Sequence, residues 1–156
     1  MEPLFILRSD PEIMRFIPRP LATTHADVFE LITRMQQGIN ENTSISWAIT
    51  LKGEDRLIGF IGYVRTNPEN HRAEVGYLLS ADHQGKGIMK EALQTIIHYG
   101  FDTMKLHSIE GVVSPANKAS SGVLLGCGFV KEAYFREKEL VNGVFEDIEV
   151  YSLLKP

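Results

Sequence analysis

Residues 73–113 hold the arrangement that most limits the folds open to this chain. An apolar stretch, AEVGYLLS (73–80), reads as a strand; a glycine-rich QGKG (84–87), a long helical stretch and a second apolar strand, HSIEGVV (107–113), follow it. A strand, a crossover helix and a strand make the two strands parallel. The helix has the clearest period in the sequence, with Ile88, Met89, Leu93, Ile96, Ile97, Phe101 and Met104 on one face.

The segments around this unit switch between periods of 3.6 and 2. LFILRSDPEIMRF (4–16) reads as a broken helical start in which Ser9 or Asp10 caps a turn opened by Pro11. After a loop, PRPLATT (18–24), Thr24 and Asp27 form a capping-box pattern, and Val28, Leu31, Ile32 and Met35 recur at helical spacing to about residue 39. SWAITL (46–51) and RLIGFIGYV (56–64) read as strands that form an antiparallel meander with 73–80. NKASSGVLLGCGF (117–129) predicts a short helix capped by Asn117, and strands over 130–139 and 144–154 join at Asn142-Gly143, a hairpin signal. The sum is α+β, one domain over 1–156, with a mixed, mostly antiparallel sheet and one parallel pair in its middle.

Net charge and cysteine usage narrow the function classes. A net charge of −4 is the wrong sign for a chain that tracks phosphates, so no nucleic-acid partner is expected. One cysteine excludes an intrachain disulfide, and no apolar run spans a membrane, so a cytoplasmic protein without a membrane partner is expected. No His/Cys/Asp grouping has metal-ligand spacing. Cys127, flanked by glycines with no basic neighbour evident in the sequence, reads as a small buried filler, and His71 and His83 as surface residues.

The glycines pose the functional question. A helix N-terminus exposes unpaired N–H groups and a partial positive charge, which suit an anionic oxygen. Gly85 and Gly87 let the backbone approach closely, and Lys86 and Lys90 add cationic donors, so a phosphate-bearing ligand is the functional reading; a plain strand-to-helix turn is the bland one. The letters fit neither GxxxxGK[ST] nor GxGxxG, since Lys90 stands at the third glycine of the latter.

The succession AEVGYLL, QGKGIM, long helix, IEGVV and NKAS…GF resembles the GNAT N-acetyltransferase family, and is most similar to its Rim-type ribosomal-protein N-terminal acetyltransferases. The resemblance runs from about residue 9 to the end and is most specific over 73–129. It implies acetyl-CoA as co-substrate, a GNAT fold with a splayed central parallel pair, and direct attack of an amine on the thioester. In that family a Q/R-x-x-G-x-G/A segment holds the cofactor's diphosphate; here it maps to Gln84, Gly87 and Met89, with Gly85, Lys86, Ile88 and Lys90 in the same turn. The resemblance also implies backbone contacts from Leu78 and Leu79 to the pantetheine arm, a contact from Asn117, and a hydrogen bond from Ser120 to the departing thiolate. The tyrosine that serves this last purpose in many relatives would fall near Leu124. Glu74, with Glu110 as a weaker rival, is the candidate base.

The family's usual opening strand has no counterpart here, which predicts an uncovered sheet edge that a partner subunit or a start codon further upstream would cover. Homodimerisation therefore stays open. The acceptor is expected to be a primary amine, of a protein N-terminus or a small molecule; the loops at 17–24, 38–46 and 134–147, which would shape its pocket, carry no code that identifies it. The alternative is a non-catalytic acetyl-CoA-binding sensor or subunit on the same fold.

Overall fold

The computed structural model describes all 156 residues. Its elements run α1 (Glu2–Ser9), α2 (His25–Asn40), β1 (Ile45–Thr50), β2 (Leu57–Asn67), β3 (Arg72–Leu79), α3 (Ile88–Asp102), β4 (Ser108–Val113), α4 (Lys118–Gly126), β5 (Val130–Val141) and β6 (Val144–Leu154). One six-stranded sheet has the order β1-β2-β3-β4-β6-β5, and only β3 and β4 are parallel. The expected α+β architecture, with its parallel pair at the centre, is the observed one.

Local chemistry accounts for most boundaries. The Thr24 hydroxyl accepts from the Asp27 N–H while the Asp27 carboxylate accepts from the Thr24 N–H at 2.8 Å, so the capping box starts α2. At the broken start, Asp10 rather than Ser9 makes the cap, accepting from the Glu12 amide at 2.8 Å. Helix α3 stops two residues before Met104 because Lys105 turns left-handed (φ 57°) and the Leu106 N–H bonds back to the Gly100 carbonyl at 3.0 Å.

Alternation along β3 sorts its side chains to the two sheet faces. Ala73, Val75 and Leu79 join the main core with Met89, Leu93, Ile96 and Phe101 of α3. Leu78 points the other way, into a smaller cluster with Leu7 and Met14. Strand β1 ends the sheet, paired on one side to β2, so the edge expected from the sequence is there. Trp47 of β1 packs edge-on against Tyr63 and Tyr99. No helix is long and apolar enough to cross a membrane.

Candidate active site

The parallel pairing of β3 and β4 lasts four residues, from Arg72 opposite Ser108 to Val75 opposite Gly111. Beyond it the strands part. Residues 76–79 keep β2 on one side, Val112 and Val113 keep β6, and the edges facing each other are unpaired. A strand edge without a neighbour presents N–H and C=O groups for which another chain or ligand must substitute. A cleft of about 310 Å³ opens at this splay.

The glycine turn closes one end of the cleft. Gly85 and Gly87 both have positive φ (71° and 79°), a conformation that costs an L-residue strain, and a Cβ on either would meet nothing within 4 Å. The turn therefore needs glycine for its backbone conformation and not for want of room. The first hydrogen bond of α3 is from the Glu91 N–H to the Gly87 carbonyl at 3.0 Å, and the amides of residues 85–90 have no acceptor within the chain. Six consecutive free amides at the positive end of a 15-residue helix fit a diphosphate.

The sequence-predicted residues divide around this cleft. Leu78, Leu79, Gln84, Gly85, Met89, Asn117 and Ser120 line it; Glu74, Lys86, Gly87, Ile88 and Lys90 do not. Gln84 also shapes the turn, because its side-chain amide donates to the Leu79 carbonyl at 3.0 Å. Met89 sends its side chain into the core at 7% exposure, which explains why a long residue is tolerated where only a backbone amide faces out. Lys90 lies against Gly126, its Nζ 3.9 Å from where a Cβ there would be, beside the carbonyl-rich C-terminus of α4. Asn117 caps α4 by accepting from the Ser120 amide at 3.1 Å, which leaves its side-chain NH₂ as a free donor.

Glu74 sits on the sheet face away from α3, half-buried, with the Arg65 guanidinium at 3.3 Å. Burial raises its pKa above the ordinary carboxylate range, Arg65 opposes that shift, and Glu110 and Glu139 add to it. Cys127 is a correction: it is only partly buried, and Lys90 is a basic neighbour that the sequence did not reveal. Burial still outweighs the lysine and pushes the thiol pKa up, which works against the thiolate form.

Two features were not read from the sequence. Glu12, Ile13, Phe16 and Ile17 form a wall of the cleft, although nothing in their spacing distinguishes them from the rest of the broken helical start. Tyr77 brings its hydroxyl to 2.8 Å from Ser120 Oγ across 43 positions of chain. Alternation along β3, which puts Tyr77 on the same face as Val75 and Leu79, was the available signal.

The GNAT acetyltransferase domain profile matches residues 1–130. This chain belongs to the GNAT acetyltransferase family. Its relatives include an uncharacterized N-acetyltransferase, p20, of Bacillus licheniformis, 35% identical over 94% of this chain and 83% of the relative. The ribosomal-protein-serine acetyltransferase of Escherichia coli is 36% identical over 64% of this chain and 55% of its own. Among solved structures, MccE in complex with acetyl-CoA and AMP superimposes with a TM-score of 0.89 at 25% identity, covering 99% of this chain and 86% of that one. This GNAT protein is thus an N-acetyltransferase that takes its acetyl group from acetyl-CoA and delivers it to an amine.

Proposed function

We propose that this N-acetyltransferase acts on primary α-amines, those of peptide N-termini or small molecules. The observation that carries the acetyl-transfer part of this reading is the splay of β3 and β4, open along the unpaired edges of residues 76–79 and 112–113 and closed at one end by free amides. Acetyl-CoA supplies the activated thioester. The amides of residues 85–90 hold its diphosphate, the edges at Leu78, Leu79 and Val112 bond the amides of its pantetheine arm, and Asn117 donates from its free NH₂. A backbone N–H near Leu78 and Leu79 offsets the negative charge that develops on the carbonyl oxygen. Ser120, on the α4 wall of the cleft, donates to the sulfur as it leaves.

The preference for an α-amine rests on proton chemistry. An α-amine with a pKa of about 8 is roughly one-tenth neutral at pH 7, whereas a lysine near 10.4 is neutral in less than about one molecule in a thousand. Glu74 is the candidate base: burial raises its pKa, and Arg65, which favours the charged carboxylate, offsets part of that rise. A carboxylate working through water suffices for an amine that is already partly free and falls short for lysine. Relatives named for ribosomal-protein serine and alanine acetylation support a protein terminus, and a spermidine N(1)-acetyltransferase of Vibrio cholerae, 28% identical over 65% of this chain, names a polyamine as the competing class.

Release of coenzyme A thiol, followed across peptides with free N-termini, N-blocked lysine peptides, amino acids, spermidine and aminoglycosides, tests the proposal. Turnover with free N-termini or amino acids and little with N-blocked lysine is expected. Preferential turnover of lysine side chains or spermidine would overturn it.

A further inference from the structure

Ser120 carries one proton and a rotatable hydroxyl, so by itself it points that proton wherever the nearest acceptor lies. Its neighbour is not solvent. Tyr77, on the splayed part of β3, places its hydroxyl 2.8 Å from Ser120 Oγ and 3.2 Å from the Ser120 carbonyl oxygen, and both side chains line the cleft. The two hydroxyls have two arrangements that need no movement of heavy atoms. In one, Tyr77 donates to the Ser120 carbonyl while Ser120 donates to Tyr77. In the other, Tyr77 donates to Ser120 Oγ, and the serine proton is turned away from the tyrosine into the cleft. Of the arrangements in which the two hydroxyls bond each other, only the second leaves Ser120 able to donate to a sulfur.

We propose that Tyr77 is the positioning residue that frees the Ser120 proton for the departing thiolate, by giving Ser120 Oγ a proton of its own to accept. The inference rests on the leaving-group role proposed for Ser120. Negative charge on sulfur selects the second arrangement, since both dipoles then point toward the charge and each hydrogen bond strengthens the other. Nothing is covalently transferred: the tyrosine keeps its proton, and burial, which pushes the phenol pKa up to about 12, disfavours a tyrosinate. The rest of the phenol packs against the core, so the strand fixes the hydroxyl and the helix fixes the serine. Asn117 completes the arrangement by holding the Ser120 amide at the first turn of α4.

Steady-state kinetics of the Tyr77→Phe, Ser120→Ala and double variants test this. Tyr77→Phe should lower kcat by about 3- to 10-fold, the usual range for losing a neutral hydrogen bond that orients a group. The KM for acetyl-CoA should change less than about twofold, because no binding contact is lost. In the Ser120→Ala background the tyrosine change should have no further effect on kcat, whereas a merely structural role for Tyr77 would add its full penalty there. An unchanged kcat in Tyr77→Phe beside a slow Ser120→Ala, or full additivity in the double variant, would overturn the inference alone. Full turnover in Ser120→Ala would overturn the serine role and the tyrosine role together. Introduction of 3-fluorotyrosine at position 77 keeps the shape and the donor; preserved kcat supports the inference, and a loss matching that of phenylalanine counts against it.

Discussion

Replacing Gly87 with valine separates the backbone demands of the turn from its proposed ligand. Gly87 sits at φ 79°, ψ 0° as the residue ahead of α3, and a Cβ there would meet nothing within 4 Å. The Cβ of the variant therefore meets no neighbour in the free protein, and the left-handed backbone costs an L-residue at least about 1–2 kcal/mol. For a chain of this size that corresponds to a fall in Tm of about 2–8 °C. The ligand effect is larger. If the backbone relaxes out of the left-handed region, the amides of Ile88 and Met89 no longer converge, and each hydrogen bond to a charged acceptor contributes about 1.5–3 kcal/mol. Losing one weakens acetyl-CoA binding at least about tenfold, and losing both by about 10² to 10⁴. Isothermal calorimetry with acetyl-CoA reads this directly. The matched control is Gly53→Val: Gly53 also has positive φ (84°) with nothing near its Cβ, and it lies in the turn between β1 and β2, outside the turn of free amides that opens α3. It should show the same loss of Tm with unchanged affinity. An affinity in Gly87→Val within twofold of the parent, or an equal loss in Gly53→Val, would refute the diphosphate assignment.

Ser120→Ala should lower kcat by about 10-fold or more, the effect of a hydrogen bond to a charged group, while the KM for acetyl-CoA stays within about twofold; unaffected turnover returns Ser120 to a plain helix-wall residue. Glu74→Gln should flatten the rise of kcat/KM at the acid end of the pH profile, since burial raises this carboxyl's pKa and its basic form accumulates only above the usual carboxylate range; identical profiles would dismiss Glu74 as the base. Lys131→Met should strand Glu149, a 5%-exposed carboxylate that accepts from Lys131 Nζ at 2.8 Å and from the Tyr151 hydroxyl at 2.8 Å. These hydrogen bonds depress the Glu149 pKa, so the stability they confer is present above the unfolded carboxylate pKa and is lost as pH falls through the folded one. The Tm deficit of the variant should accordingly be full at neutral pH and shrink below about pH 4, and a deficit independent of pH would contradict it. Gly100→Ala places a Cβ 2.3 Å from the Tyr63 hydroxyl, which is fixed by donating to the Ile96 carbonyl at 2.6 Å, and should cost about 1–3 kcal/mol in a denaturant melt; an unchanged midpoint would show that the tyrosine can move freely.

Local signals carried a large part of the molecule. The Thr24–Asp27 box, the period of α3, the meander of β1 to β3 and the Asn142-Gly143 hairpin all rest on interactions between residues close in sequence, so they can be read from the letters. The glycine turn was legible for the same reason: its φ values and its free amides are properties of one short segment. What the letters left open depends on distant partners. Whether Lys90 faces the ligand or the C-terminus of α4, whether Cys127 has a basic neighbour, and whether Tyr77 meets Ser120 are decided by how β3, α3 and α4 pack. The resemblance in the motifs supplied the family and the cofactor, and the comparisons upheld both. The sequence alone thus determined the elements, their order and the turn of free amides. Only the tertiary structure decided where β3 and β4 part, which side chains line the resulting cleft and which donors they share. A hydrogen bond across 43 positions leaves no periodic trace in a sequence, because it depends on the paths of two elements and not on the spacing within either.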